Sequence, residues 1–329
     1  MYESFYGLKD NPFNVTPDPQ YIFFGENHRE ALAQLLYGVQ QKKGFIVLTG
    51  EVGTGKTTLV HYLLEKLNHG NGQIKTAFLF NPKLTVNDFI EYILKDMGLN
   101  VQGGTKGDHL HLLHDSLIES YKKGERVILI IDEAQGLYPI LLEEIRLLSN
   151  LETSKSKLLQ IILVGQPELN KTLSQPAFRQ LRQRINMHYH LHPLSKKETK
   201  EYVAKRIRIA GGKESLFTKG AIQETYRRTK GIPRLINILC DNALLGGYAA
   251  DQKMIGKKIV REAARDLHLK SAGTGIKIFA LAGGIILTAL LLLLYFAGEG
   301  KNGKMADGAN FYQTIKDFFF HLLQTLKRM

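Results

Sequence analysis

One cysteine, Cys240, stands among 329 residues. That scarcity excludes an intramolecular disulfide and any zinc cluster built on cysteine pairs. Its place in an apolar helical stretch reads as a small core residue, and nothing signals redox chemistry. Acids are also in short supply: 31 Asp and Glu face 44 Lys and Arg, a formal charge of +13. Such an excess invites a polyanionic neighbour, either nucleic acid or an anionic membrane surface. Met1 to Leu8 carries early acid, no basic leader and no long apolar run. A cleavable signal peptide is therefore not expected, and the N-terminal part is expected in the cytoplasm.

Charge is absent altogether from Ile278 to Phe296. As a helix, residues 276–296 would span about 31 Å, close to the hydrocarbon thickness of a bilayer. The run Leu290 to Leu294 beside Gly283 and Gly284 offers no polar face, so a transmembrane helix is predicted rather than a buried core helix. Lys277 can snorkel at its edge. Lys257, Lys258, Arg261, Arg265, Lys270 and Lys277 precede this segment, whereas Lys301 and Lys304 follow it closely. The positive-inside bias then predicts a single-pass protein of the inner (cytoplasmic) membrane, with the large N-terminal part inside and the short tail outside.

What is present is alternation. Apolar, β-rich runs at 45–49, 76–80, 127–131, 159–164 and 187–191 are separated by helical patterns such as 86–97 and 109–122, which predicts an α/β fold with a parallel sheet covered by helices. After Pro193 the strands stop, and 196–210, 218–230, 233–250 and 256–268 read as helices. The organisation predicted is an N-terminal segment with its helix (1–44), an α/β core (45–192), an all-α lid (193–270), the membrane helix (276–296) and a tail (297–329). In the tail, Phe311, Ile315, Phe318, Phe319, Leu322, Leu323 and Leu326 recur at helical spacing, which describes a short amphipathic helix suited to a membrane surface or a partner helix.

The chemistry is concentrated in Gly50-Glu51-Val52-Gly53-Thr54-Gly55-Lys56-Thr57-Thr58. This is a complete GxxxxGK[ST] phosphate-binding loop, with a β-rich run before it and a helical pattern after it. Glycines let successive N–H groups converge on phosphates. Lys56 would meet the β/γ oxygens, Thr57 would offer its hydroxyl to Mg2+, and the helix N-terminus adds positive potential. ATP and Mg2+ are the expected ligands. Val127 to Ile131 ends in Asp132-Glu133, the pattern of a Walker B strand. Asp132 would hold the Mg2+ shell, usually through water, and Glu133 would polarise the attacking water as catalytic base.

Further candidates lie downstream. Gln166, at the end of the fourth strand, is placed to report on a γ-phosphate. Arg179, Arg182 and Arg184 include a candidate arginine finger for a neighbour's nucleotide, without a choice among them. Arg234, in Gly231-Ile232-Pro233-Arg234, follows a proline in a helix first turn and could reach the bound phosphates.

Taken in order, these motifs make the chain resemble an AAA+ P-loop ATPase with its lid. Phe5-Tyr6-Gly7-Leu8, Asn11-Pro12-Phe13, Thr16-Pro17-Asp18-Pro19, His28-Arg29-Glu30-Ala31-Leu32, Leu36-Tyr37-Gly38 and the loop itself narrow it. Over about residues 1 to 268 the chain resembles the general secretion pathway protein A family, the component A ATPases of type II secretion. The resemblance implies an inner-membrane ATPase that drives or regulates assembly of envelope machinery, with a membrane partner called component B and nucleotide-dependent self-association in a ring or partial ring. It also implies that the segment around Phe24 and Arg29 lines the adenine side of the nucleotide site. Type II members usually carry a periplasmic peptidoglycan-binding domain, and residues 297–329 are too few to hold one, so peptidoglycan binding is not expected. The alternative class is a DNA-binding AAA+ ATPase of the transposition-regulator or loader type, which the basic excess would suit. The predicted membrane helix argues against it, since attraction to anionic lipid accounts for the basic residues that precede the membrane.

Overall fold

The computed structural model describes residues 1–269, apart from 17, 69–73, 81–82, 102 and 155. The chain divides into two units, Met1–Lys270 and Ser271–Met329. The expected membrane segment 276–296 and the tail 297–329 lie outside the described residues. Among the described residues, no helix is long and apolar enough to cross a membrane.

The five apolar runs form strands β1 (Phe45–Gly50), β2 (Ile74–Leu79), β3 (Arg126–Ile131), β4 (Leu159–Gly165) and β5 (Met187–Leu191). They make one sheet in the order β2-β3-β4-β1-β5, and every pairing is parallel. All residues of β1 and β4 are buried, as expected of central strands covered on both faces. Side-chain alternation sorts the sheet. Val47, Leu129, Ile131, Ile161 and Leu163 join one core, whereas Ile46, Leu48, Ile128, Ile130, Ile162 and Val164 join the other.

Helices α1 (Glu3–Tyr6), α2 (Glu26–Gln40), α3 (Lys56–Asn68), α4 (Val86–Asp96), α5 (Lys106–Lys122), α6 (Pro139–Leu148), α7 (Pro167–Ser174) and α8 (Arg179–Arg184) accompany the strands. The first core is closed by apolar residues of α4 to α8, the second by those of α2 and α3. Helix α6 is not among the helical patterns named above. It starts at Pro139 and buries Leu141, Leu142, Ile145 and Leu148.

Beyond β5, α9 (Lys196–Ile209), α10 (Lys219–Thr229), α11 (Pro233–Ala249) and α12 (Lys257–Asp266) form a helical part with its own core. Cys240 is fully buried there, and burial pushes its thiol pKa up. The N-terminal residues pack into this core rather than onto the sheet: Tyr2, Leu8 and Phe13 belong to it, with the Phe13 ring 5.9 Å from that of Phe217. Arg206, 6% exposed, donates from Nε to the Pro12 carbonyl and from Nη2 to the Asn14 carbonyl at 3.2 Å. Its guanidinium also lies 4.7 Å from the Tyr21 ring centre. A buried cation is thus satisfied by chain carbonyls and aromatic rings.

One carboxylate ties the helical part to α2. Glu198 Oε2 accepts from Ser195 N at 2.8 Å in the capping box of α9, while Oε1 accepts from Glu26 N, the first N–H of α2, at 2.6 Å. Replacing Glu198 by Ala leaves two helix starts short of an acceptor. The expected loss is about 1–2 kcal/mol of unfolding free energy, measurable by urea denaturation.

Candidate nucleotide-binding site

Because β1, β3 and β4 run parallel in register, with Thr49 beside Gly165 and Ile131 beside Leu163, their C-terminal ends open on one edge of the sheet. Insertion of β4 between β1 and β3 brings Gly50, Asp132 and Gln166 to that edge. This is where open parallel sheets bind ligands.

The loop after β1 has the backbone of a phosphate cradle. Gly53 and Gly55 take φ values of +79° and +96°, a region that side chains rarely adopt. A Cβ at Gly53 would stand 2.6 Å from the Arg234 Cβ, and one at Gly50 would stand 2.7 Å from the Leu191 carbonyl oxygen. Lys56 is 7% exposed and donates Nζ to the carbonyls of Gly50 at 2.8 Å and Glu51 at 3.0 Å. Burial lowers its pKa from the ordinary lysine value, while Glu133, Asp132 and Glu51 oppose that shift. Glu51 and Val52 are exposed, Thr54 is buried, and Thr58 is half-buried on α3.

Thr57 donates its hydroxyl to Asp132 Oδ2 at 2.5 Å. The pairing joins the start of α3 to the end of β3 and produces an oxygen-only donor set, the kind that suits Mg2+. The glycine cradle and this donor set fit a metal-bound triphosphate. Asp132 is 4% exposed, and its Oδ1 accepts from Glu133 N at 2.8 Å.

Glu133 turns away from the strand in the left-handed region, φ +52°. Its Oε2 accepts from Gln166 Nε2 at 3.1 Å and from Gln135 Nε2. The Gln135 Oε1 in turn accepts from Gln166 N at 2.9 Å. Gln166 is therefore held against Glu133. Gln135 is not among the candidates that the motifs name, although its position two residues after the acidic pair is the signal for it.

Two further groups were also not anticipated. His28 on α2 is 4% exposed and places Nε2 2.9 Å from the Thr54 carbonyl oxygen; burial lowers its pKa, favouring the neutral ring. Thr49 Oγ1 lies 3.0 Å from His190 Nδ1 and accepts from Asn170 Nδ2 at 3.4 Å, linking β1, β5 and α7 behind the loop.

Arg234 is exposed at the start of α11, and its backbone N donates to Gly53 O at 3.2 Å, so the helical part meets the loop directly. Arg29 donates Nη1 to the Phe24 carbonyl at 3.1 Å. The Phe24 ring lies 4.8 Å from that of Tyr62 and 6.2 Å from that of His28. The three candidate finger arginines are not gathered at the loop. They lie on α8, where Arg182 donates Nη1 to the Ser174 carbonyl at 3.0 Å. Arg184 precedes Met187, which pairs with Ile46 at the opposite edge of the sheet.

Residues 39–173 match the family model described as AAA domain. General secretion pathway protein A of Aeromonas hydrophila is 42% identical over 298 residues, covering 87% of this chain and 52% of that protein. The chain thus spans about half the length of this relative. Among solved structures, Drosophila ORC bound to DNA is similar with a TM-score of 0.62 at 18% identity, over 94% of this chain and 77% of that one. Cdc6p from Pyrobaculum aerophilum gives 0.60 at 16%, over 79% and 71%, and Aeropyrum pernix ORC2 in its ADPNP-ADP complexes gives 0.58 at 18%, over 78% and 72%. At such identities the likeness is one of fold alone. The chain therefore carries an α/β P-loop AAA+ core and, over most of its length, is a relative of general secretion pathway protein A.

Proposed function

We propose that this chain is a membrane-anchored, Mg-dependent ATP hydrolase that drives or regulates assembly of an envelope secretion or export apparatus. The observation that carries the enzymatic part is the convergence of Lys56, Thr57, Asp132 and Glu133 at one sheet edge beside a glycine cradle. In this reading, backbone N–H groups of residues 50–58 hold the phosphates and Lys56 neutralises the β/γ oxygens. Thr57 and Asp132 hold Mg2+, which when bound screens phosphate charge and orients the oxygens. Glu133 accepts the proton of the attacking water as its oxygen bonds to phosphorus and ADP leaves. Gln166 reports on the γ-phosphate, Arg234 reaches the phosphates from the helical part, and Phe24 with Arg29 flanks the base. Arg182 or Arg184 serves a neighbouring subunit, which fits their place on α8 away from their own chain's loop.

The likeness to general secretion pathway protein A supports a secretion role, and the uncharged stretch 278–296 supports an inner-membrane, single-pass anchor. Nucleotide-dependent self-association, contact with the bilayer and an inner-membrane partner protein follow from that reading. Lys56→Ala is expected to weaken ATP binding on the order of a hundredfold, the size of losing a desolvated charged hydrogen-bond donor. Equilibrium titration with a fluorescent ATP analogue measures it, and unchanged affinity would remove the phosphate loop from the mechanism. For the cellular role, the protein is crosslinked in cells, purified from membranes and its companions identified. Recovery of envelope proteins supports the assembly role, whereas abundant DNA without them moves the chain to the nucleic-acid class.

A further inference from the structure

We infer that Gln135 is a positioning residue for hydrolysis, tying the orientation of the base Glu133 to the backbone of Gln166; this rests on the ATP hydrolase reading above. Its amide is used at both ends: Nε2 donates to Glu133 Oε2 and Oε1 accepts from Gln166 N at 2.9 Å. Gln166 closes the loop by donating Nε2 to the same Glu133 oxygen at 3.1 Å. Three hydrogen bonds, one of them from the Gln166 backbone, thus join three residues drawn from two strand ends.

This arrangement has consequences for the base. Both amide donors fall on Oε2, so among the described residues Oε1 is the Glu133 oxygen left to face water and take its proton. Glu133 sits in the left-handed backbone region at φ +52°, a conformation that persists only where surrounding bonds hold it. Its carbonyl accepts from Gly136 N at 2.8 Å and its N–H bonds Asp132 Oδ1 at 2.8 Å, leaving the side-chain direction to Gln135 and Gln166. Room for the bridging amide depends on Gly165, where a Cβ would stand 3.0 Å from Gln135 Oε1. Gln166 is the N-cap residue of α7 and its side chain makes no cap hydrogen bond; its amide donates to Glu133 instead, while its backbone N–H is taken up by Gln135. A shift of the Gln166 side chain would therefore reach Glu133 directly, and a shift of its backbone would reach Glu133 through Gln135.

Gln135 touches neither Lys56 nor Thr57 in any of these bonds, so its removal should spare binding and reduce turnover. The experiment uses the full chain and its Gln135→Ala, Gln135→Glu, Gln166→Ala and Gln135→Ala/Gln166→Ala variants. Steady-state ATP hydrolysis, equilibrium ATP binding and thermal melting are compared. Each single Ala variant is expected to lower kcat about tenfold, with ATP affinity within about twofold for Gln135→Ala, and the double variant to lose no more kcat than about the larger single loss, because groups acting as a unit are non-additive. The near-isosteric Gln135→Glu, which keeps the acceptor for Gln166 N but sets a carboxylate against Glu133, is expected to melt like the parent and still lose kcat. Unchanged kcat in the Gln135 variants, additive losses in the double, or losses carried wholly by affinity or melting would overturn the inference. A parent that binds ATP and never turns it over, in the presence of Mg2+, would overturn the hydrolase reading itself and the inference with it.

Discussion

Glu133→Gln is expected to bind ATP as tightly as the parent while its hydrolysis falls by about 10²- to 10⁴-fold, the usual contribution of a positioned general base. The amide matches the carboxylate in shape and keeps an oxygen for the Gln135 and Gln166 donors. It has no lone pair basic enough to hold the water proton. Lys56, Thr57 and Asp132 are untouched, so affinity for the triphosphate should persist. Single-turnover phosphate release alongside equilibrium nucleotide binding separates the two effects. A fully active variant would transfer the role of base to another group, and lost binding would make Glu133 a ligand-holding residue. The same variant accumulates the ATP-bound form in which companions are captured.

Gly231→Ala is expected to destabilise the protein by about 3 kcal/mol, combining backbone strain with a steric collision. Gly231 has φ +79°, and a Cβ there would stand 1.8 Å from the Leu194 carbonyl oxygen and 2.8 Å from its carbon. These are backbone atoms, so no flexible side chain can swing aside. The clash falls where the helical part is sewn to the core: Leu194 N donates to Gly231 O at 2.9 Å, and three residues on, Arg234 N donates to Gly53 O at 3.2 Å. Separating Gly231 from Leu194 would carry Arg234 off the phosphate loop. Urea denaturation should show the lower midpoint, and nucleotide titration should show weaker binding than the loss of global stability explains. An unchanged midpoint would mean that the Leu194–Gly231 junction adjusts at little cost.

The strands were legible because each central one is a mainly apolar run, interrupted in β4 by Gln160, of the length and β-branched content that double-sided burial demands. β2 was read as 76–80 and runs over Ile74–Leu79; Phe80 extends the apolar pattern but lies beyond the strand, 56% exposed. Helix α6, whose buried apolar residues run from Leu141 to Leu148, is not among the helical patterns named from the sequence. The association of Tyr2, Leu8 and Phe13 with helices beyond residue 193 leaves no local trace, since it joins segments roughly two hundred residues apart.

In the site, the phosphate loop and the acidic strand end are local motifs whose spacing is dictated by the chemistry they would perform. The loop glycines and the Thr57 and Asp132 oxygens could therefore be named from sequence. That Thr57 and Asp132 touch, and that Gln166 comes to Glu133 rather than to some other turn, depends on β4 lying between β1 and β3. Gln135 meets Glu133 locally, but its bond to Gln166 on the β4 side, like that of His28 to Thr54 in the loop, joins separate elements. Short-range periodicity and motif spacing by themselves determined the element types and the class of ligand, because backbone preference and phosphate chemistry act over a few residues. Strand order, the seating of the N-terminal residues and the hydrogen-bond ring around Glu133 were decided only by the tertiary structure, because each needs groups distant in sequence to lose water together and meet within about 3 Å.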